Sequence, residues 1–170
     1  EERLLPVRIK AGALGHGLPF EDLRVSRQHR IMIVSRIAAR ICGETEIFVP
    51  AHALVGVPGI ELDRSMKPVE YYHILLKHHD VLVANGVPAE SLFIGAETER
   101  ALKNLPCEIG AECALGQSVE QMIPARMFVT GKLAVRVIAA HRRHGRALVE
   151  AWACNDQGLV LAHLCGSTTS

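Results

Sequence analysis

Aromatic residues are scarce in this chain, at 4% of 170 residues. A core of that size must then rest on Val, Ile, Leu and Ala rather than on stacked rings. Charge of one sign is also missing: 19 Lys and Arg against 18 Asp and Glu leave a net charge of +1. That balance gives no electrostatic argument for nucleic acid or for an acidic membrane. No apolar run is long enough to cross a bilayer, and EERLLPVRIKAG lacks the layout of a signal peptide. The five cysteines (Cys42, Cys107, Cys113, Cys154 and Cys165) are odd in number and contain no C-x-x-C pair. A disulfide framework and a cysteine-rich zinc site are both disfavoured, and reduced thiols are expected. The chain reads as soluble, with its compartment left open. Hydrophobic residues at 49% and charged residues at 22% place it among globular proteins.

What is present is concentrated between Lys67 and Ser91. Val69 to Leu76 alternates in the manner of a strand covered on both faces. His78, His79 and Asp80 interrupt the apolar run, and Val81 to Val83 resumes it. Asn85-Gly86 accepts positive φ at both positions, so it predicts a tight hairpin turn. Upstream, Leu5 to Ala11 is a short strand and the glycines of Gly12 to Gly17 serve a wide turn. Ser26 and His29 precede a strand marked by Ile31, Ile33 and Val34. Ala38 to Val49 reads as strand-like pieces about a turn at Gly43-Glu44. Ile47 to Val55 reads as a strand entering one helical turn at Pro50. Gly56 to Met66 is expected to be loop.

After Ser91 the pattern turns helical. Ala96 to Asn104 is a short helix candidate ended by Pro106. Pro124 to Thr130 is extended or loop-like. Gly131 to His144 predicts a helix with Ala134, Val137, Ile138 and His141 on one face and Gly145 as its stop. The tail alternates about Asn155 to Gly158, a hairpin that sets Trp152 opposite Leu161 and Glu150 opposite His163.

Three blocks occur in order: LRVSRQHRIMI, then VPAHALV, then VEYYHILLKHHDVLVANGVPAES. Together they resemble the Hint (hedgehog/intein) superfamily, most closely its bacterial hedgehog/intein variants. A basic helix followed by Gly145-Arg146-Ala147-Leu148-Val149 extends the resemblance to about Val149. It implies a mainly β fold, a horseshoe of curved β-hairpins with short helices appended in the C-terminal third. The expected organisation is a single domain over 1–170, with a β-rich core at 1–95, a helical part at 96–149 and a hairpin tail at 150–170.

The resemblance also implies an activity: self-processing cleavage of a peptide bond through an N–S or N–O acyl shift. By position in the family's Thr/Ser-x-x-His block, His29 is the general acid that protonates the leaving nitrogen, and Ser26 orients the same bond. His79 or His78, with Asp80, supplies second-step acid/base chemistry near the turn. The chemical demand is plain: an amide nitrogen leaves only when protonated, and imidazole donates near neutral pH. The substrate is the chain's own upstream polypeptide. Neither cofactor nor metal is implied, and nucleic-acid and membrane partners are not expected.

Departures limit the activity. A self-processing member opens with a Cys or Ser nucleophile, whereas this sequence opens on Glu1. The nucleophile and first strands are then expected ahead of this stretch, in a complementing N-terminal segment, or not at all. Where inteins end in His-Asn this chain has Glu90-Ser91, and serine cannot cyclise to release a downstream segment. Cleavage on the N-terminal side remains, without full splicing.

Other readings compete. A degenerate Hint-like β-domain would serve as a non-catalytic binding or structural module, and the missing leading nucleophile favours it. Ser26 then simply caps a turn and His29 is a satisfied, half-buried residue. Zinc binding by His73, His78 and His79, or by His141 and His144, lacks an evident fourth ligand. A Ser26-His29-Asp80 hydrolase lacks a G-x-S-x-G elbow. The tail hairpin also resembles that of hot-dog thioesterases.

Overall fold

The computed structural model describes residues 5–65, 71, 73–95 and 122–150, together with the backbone of 160–161. Two sheets carry the fold. The smaller is antiparallel, in the order β2 (Leu23–Val25), β1 (Val7–Ile9), β5 (Ile60–Leu62). The larger has the order β8 (Met127–Phe128), β4 (Glu46–Pro50), β3 (Arg30–Val34), β7 (Val87–Glu90), β6 (Val81–Ala84), β9 (Val160–Leu161). Its four central strands are antiparallel, and the two-residue edge strands β8 and β9 join in parallel. With two sheets and two helices, the described fold is mainly β, as the sequence predicts.

The Asn85-Gly86 turn forms as expected. Asn85 has φ 49° and Gly86 has φ 81°, and this primed geometry matches the twist of the paired strands β6 and β7. The long helix also forms, as α2 (Gly131–His144), with Ala134, Val137, Ile138 and His141 buried and Gly145 left-handed at its end. Pro50 closes β4, and a single 3-10 turn, Ala51–Leu54, follows it.

Three local expectations are corrected. Arg36–Cys42 is a helix, α1, and not a strand-like piece. Ser35 caps it, its hydroxyl oxygen accepting from the Ala38 N–H, and Gly43 ends it in the left-handed region at φ 86°. Ile60–Leu62 lies in the expected loop but pairs with β1. The described residues of the strand expected over 69–76, namely 71 and 73–76, have no regular ladder. The Ile74 carbonyl accepts from the Leu92 N–H at 2.7 Å. Strand alternation was present there, but β7 already has β3 and β6 on its two sides. The helix candidate 96–104 and most of the tail hairpin lie outside the described residues.

Among the described residues, the largest fully buried side chains are Ile, Val and Leu with Met32 and Phe48. Each such aliphatic side chain contributes on the order of 1.5–3 kcal/mol on leaving water. α2 packs on α1 and on the 3-10 turn. His141 ties the helices together: its Nε2 lies 3.0 Å from Ser35 Oγ and its Nδ1 3.3 Å from the Arg146 carbonyl. A carbonyl only accepts, so Nδ1 carries the proton and Nε2 accepts from Ser35. Behind α2, the main chain of Leu148 and Val149 donates to the Leu14 carbonyl in the glycine-rich loop. A methyl at Gly15 would collide with Ala147, so this loop needs glycine for close approach rather than for binding phosphate.

Candidate active site

His29 sits at the end of the turn that links β2 to β3, and its main chain is held on three sides. Its N–H donates to both Oγ and the carbonyl of Ser26, each at 3.2 Å. Its carbonyl accepts from the Ala51 N–H at 2.8 Å. The next N–H, that of Arg30, donates to Glu90 Oε1 at 2.8 Å. The 3-10 turn grips the same loop from the side: the His52 N–H donates to the Arg27 carbonyl at 3.0 Å, and the His52 Nδ1 approaches that oxygen equally closely, at 3.0 Å. So the VPAHAL segment exists, in structural terms, to fix the residues around His29.

The His29 ring is half-buried, and among the described residues no hydrogen bond engages either ring nitrogen. The exposed ring of His73 lies beside it, centroids 5.9 Å apart and planes tilted by 46°. Loss of water around His29 pulls its pKa down from 6.5 to about 4; the Glu90 carboxylate opposes this, while His73 and Arg30 reinforce it. His29 is therefore neutral at neutral pH.

Behind His29 lies a buried ion pair. Antiparallel pairing of Ile31 with Ala89 puts Arg30 next to Glu90 across two strands. Glu90 Oε2 accepts from Arg30 Nη1 at 2.7 Å, and Glu90 is only 7% exposed. Burial works to raise the Glu90 pKa, but the contacts from His79 and Arg30 outweigh it and hold the carboxyl below its usual range. The Arg30 guanidinium lies 4.0 Å over the Phe128 ring, a cation–π contact that a half-desolvated cation favours.

His79 closes the back of this pair. Its side chain has no exposed surface, and Nε2 lies 3.5 Å from Glu90 Oε2. The rings of Phe48, Phe93 and Phe128 surround it at centroid distances of 5.4, 5.2 and 5.5 Å. The Ala125 N–H donates to its Nδ1 at 2.9 Å, which puts the ring proton on Nε2, facing the carboxylate. Among the described residues, His79 Nε2 and Arg30 Nε are buried without a hydrogen-bond partner. Each thus relies on electrostatics with Glu90 or Phe128 rather than on a short bond.

The sequence-derived candidates separate accordingly. Glu90 bears on both His29 and His79: its charge acts on the His29 ring, and its Oε2 lies 3.5 Å from His79 Nε2. Ser26 oxygen atoms serve the main chain of the turn. His78 is exposed. Asp80 is also exposed, and its Oδ1 accepts from the Val81 N–H at 2.7 Å, capping its own strand. Ser91 is fully buried: its N–H donates to the Asp80 carbonyl and its Oγ accepts from the Asp80 N–H, both at 2.9 Å. The alternative zinc set is dispersed, with His73 beside His29, His78 in solvent and His79 inside the phenylalanine cage. Among the described residues no group of three His, Cys, Asp or Glu is placed to hold a metal ion.

Sequence reasoning missed the Arg30–Glu90 pair and the His29–His73 contact. A signal existed for the pair. Glu90 is the lone charge in the buried strand VPAE, and Arg30 is the lone charge in RIMIV. A buried carboxylate needs a cation, and strand order supplies one.

Two sheets built from antiparallel hairpins, with the histidine turn tied to the Asn85-Gly86 hairpin through Arg30 and Glu90, fit a Hint-like β-domain. The family model described as Hint domain matches residues 1–96, so the chain belongs to the Hint domain family. No curated protein and no solved structure matches the chain. The tail hairpin on which the hot-dog reading rests lies outside the matched span and mostly outside the described residues.

Proposed function

We propose that the chain is part of a self-processing domain that cleaves the peptide bond on its N-terminal side, with His29 as proton carrier. In this reading a thiol or hydroxyl at the scissile junction adds to the carbonyl carbon. His29, neutral at the start, takes the proton that the nucleophile loses. The imidazolium so formed gives that proton to the amide nitrogen as the carbon–nitrogen bond breaks. An ester or thioester remains, and water or an acceptor hydroxyl resolves it. A ring with a pKa of about 4 is a weak base but a strong conjugate acid. That bias suits the harder half of the task, protonating a nitrogen that otherwise will not leave. Proton transfer from a positioned group supplies typically 10²–10⁴-fold in rate.

One observation carries the reading: a half-buried, neutral imidazole whose main chain is tied on three sides and whose ring nitrogens are unengaged among the described residues. Confinement to the N-terminal side rests on Ser91. It has no carboxamide to cyclise, it is locked to Asp80, and Leu92 beyond it bonds to Ile74.

The binding-module reading draws on Ser26. Both of its oxygen atoms accept from the His29 N–H, which is what a turn-capping serine does in any protein. Intact mass decides between them, measured on the protein expressed with its natural upstream region, with and without thiol and hydroxylamine. Self-processing gives two fragments from the parent and one uncut product from His29→Ala. A single uncut mass from the parent under every condition establishes the module.

A further inference from the structure

We infer that the buried Arg30–Glu90 ion pair is the positioning and charge-setting element of His29, each partner acting on the ring in the opposite sense to the other. This rests on the proposed role of His29, but it concerns residues that no part of that proposal requires.

The geometry links the pair to His29 directly. Glu90 Oε1 accepts from the N–H of the peptide group that joins His29 to Arg30, at 2.8 Å, and Oε2 accepts from the Arg30 guanidinium at 2.7 Å. A single carboxylate therefore fixes the main chain beside His29 and neutralises the cation that follows it. Phe128 lies under the guanidinium at 4.0 Å, and His79 stands 3.5 Å behind Oε2. Neither charge can turn away to solvent, since the side chains are 26% and 8% exposed. Charges fixed in a poorly solvated site act on a neighbouring imidazole far more strongly than charges in water.

Among the described residues, the charged and titratable groups acting on His29 are Glu90 and Arg30 from the sheet and His73, whose ring lies beside it. His79 contacts Glu90 at 3.5 Å and is not among the groups that act on the His29 ring. Glu90 favours the imidazolium; Arg30 and His73 oppose it. As long as the pair is intact, Arg30 offsets part of the larger pull of Glu90, and the ring keeps the neutral state that burial favours. Removing either member exposes the other.

The test is an NMR titration of the His29 imidazole in the intact chain, which requires no cleavage. Arg30→Gln leaves Glu90 uncompensated and raises the His29 pKa; Glu90→Gln leaves Arg30 uncompensated and lowers it, each by roughly half a unit or more. The double variant Arg30→Gln/Glu90→Gln returns the value toward the parent's. That variant also guards against misfolding, because it buries no lone charge. Shifts of opposite sign with restoration in the double variant support the inference. Shifts of one sign, no shift, or no restoration overturn it. On the protein carrying its upstream region, the pH profile of cleavage moves in the same two directions. Absence of cleavage in the parent would overturn the proposed function, while the titration still decides the role of the pair.

Discussion

His73 and His29 form a ring pair beside the start of β3, centroids 5.9 Å apart, with His73 exposed and His29 half-buried. The two rings come from segments 44 positions apart in sequence, yet either one, when charged, bears on the other. His73 is a like charge to the imidazolium of His29 and disfavours it. His73→Ala is therefore expected to raise the His29 pKa, as read by NMR titration. An unchanged or lowered value would show that His73 acts on His29 only through contact.

The depressed histidines set the acid limb of stability. His29 is held at about 4 against 6.5 when unfolded, and burial also lowers the pKa of His141. For both, the unfolded chain binds more protons below pH 6.5, so stability is whole above that value and declines as pH falls. Urea unfolding at pH 7.5 and at pH 5 is expected to differ by about 1–2 kcal/mol from His29, the more stable form being at pH 7.5. Below that window Asp63, which Arg24 and Ser65 hold at about 2 against 3.8, extends the loss in the same direction. His29→Phe should flatten the curve between pH 6.5 and 4.

Ser35 and His141 act as one unit. Ser35 Oγ accepts from the Ala38 N–H to cap α1 and lies 3.0 Å from His141 Nε2 on α2. Both residues are buried, at 3% and 2% exposure. Ser35→Ala removes the cap and leaves a buried ring nitrogen unpaired, at a cost of about 1–3 kcal/mol. His141→Ala is expected to cost a similar amount, about 2–3 kcal/mol, through the cavity it leaves. A double-mutant cycle by chemical denaturation should show coupling of about 1 kcal/mol, since one contact cannot be lost twice. Strict additivity would mean the two helices are held by apolar packing alone.

Two glycines with positive φ should differ in tolerance. At Gly86 an added methyl meets the outer atoms of Phe20 and Leu18, at 2.7 and 2.8 Å, and Phe20 is 71% exposed and free to swing aside. Gly86→Ala then costs mainly its backbone strain, about 1 kcal/mol. At Gly15 the obstacle is Ala147, whose own Cα lies 3.1 Å away within the segment bonded to Leu14. Gly15→Ala is expected to cost more, about 2–4 kcal/mol by thermal unfolding, with partial recovery on adding Ala147→Gly. Equal costs would show that φ alone matters at both sites.

The sequence by itself determined what near neighbours decide. Two residues tolerant of positive φ made the Asn85-Gly86 turn. A 3.6-residue apolar period with a glycine after it made α2. The ordered blocks around His29 and the hairpin were enough to indicate the family that matches residues 1–96. Tertiary structure decided the rest. Arg36–Cys42 is seven residues long, too short to be stable alone, and it is a helix because Ser35 caps it and α2 packs on it. Residues 73–76 alternate like a strand but pair with no strand among the described residues, and alternation without a partner makes no ladder. Arg30 and Glu90 stand 60 positions apart, and neither neighbourhood reveals the other. Only strand pairing desolvates both together, and that desolvation turns two ordinary charges into a fixed field behind His29.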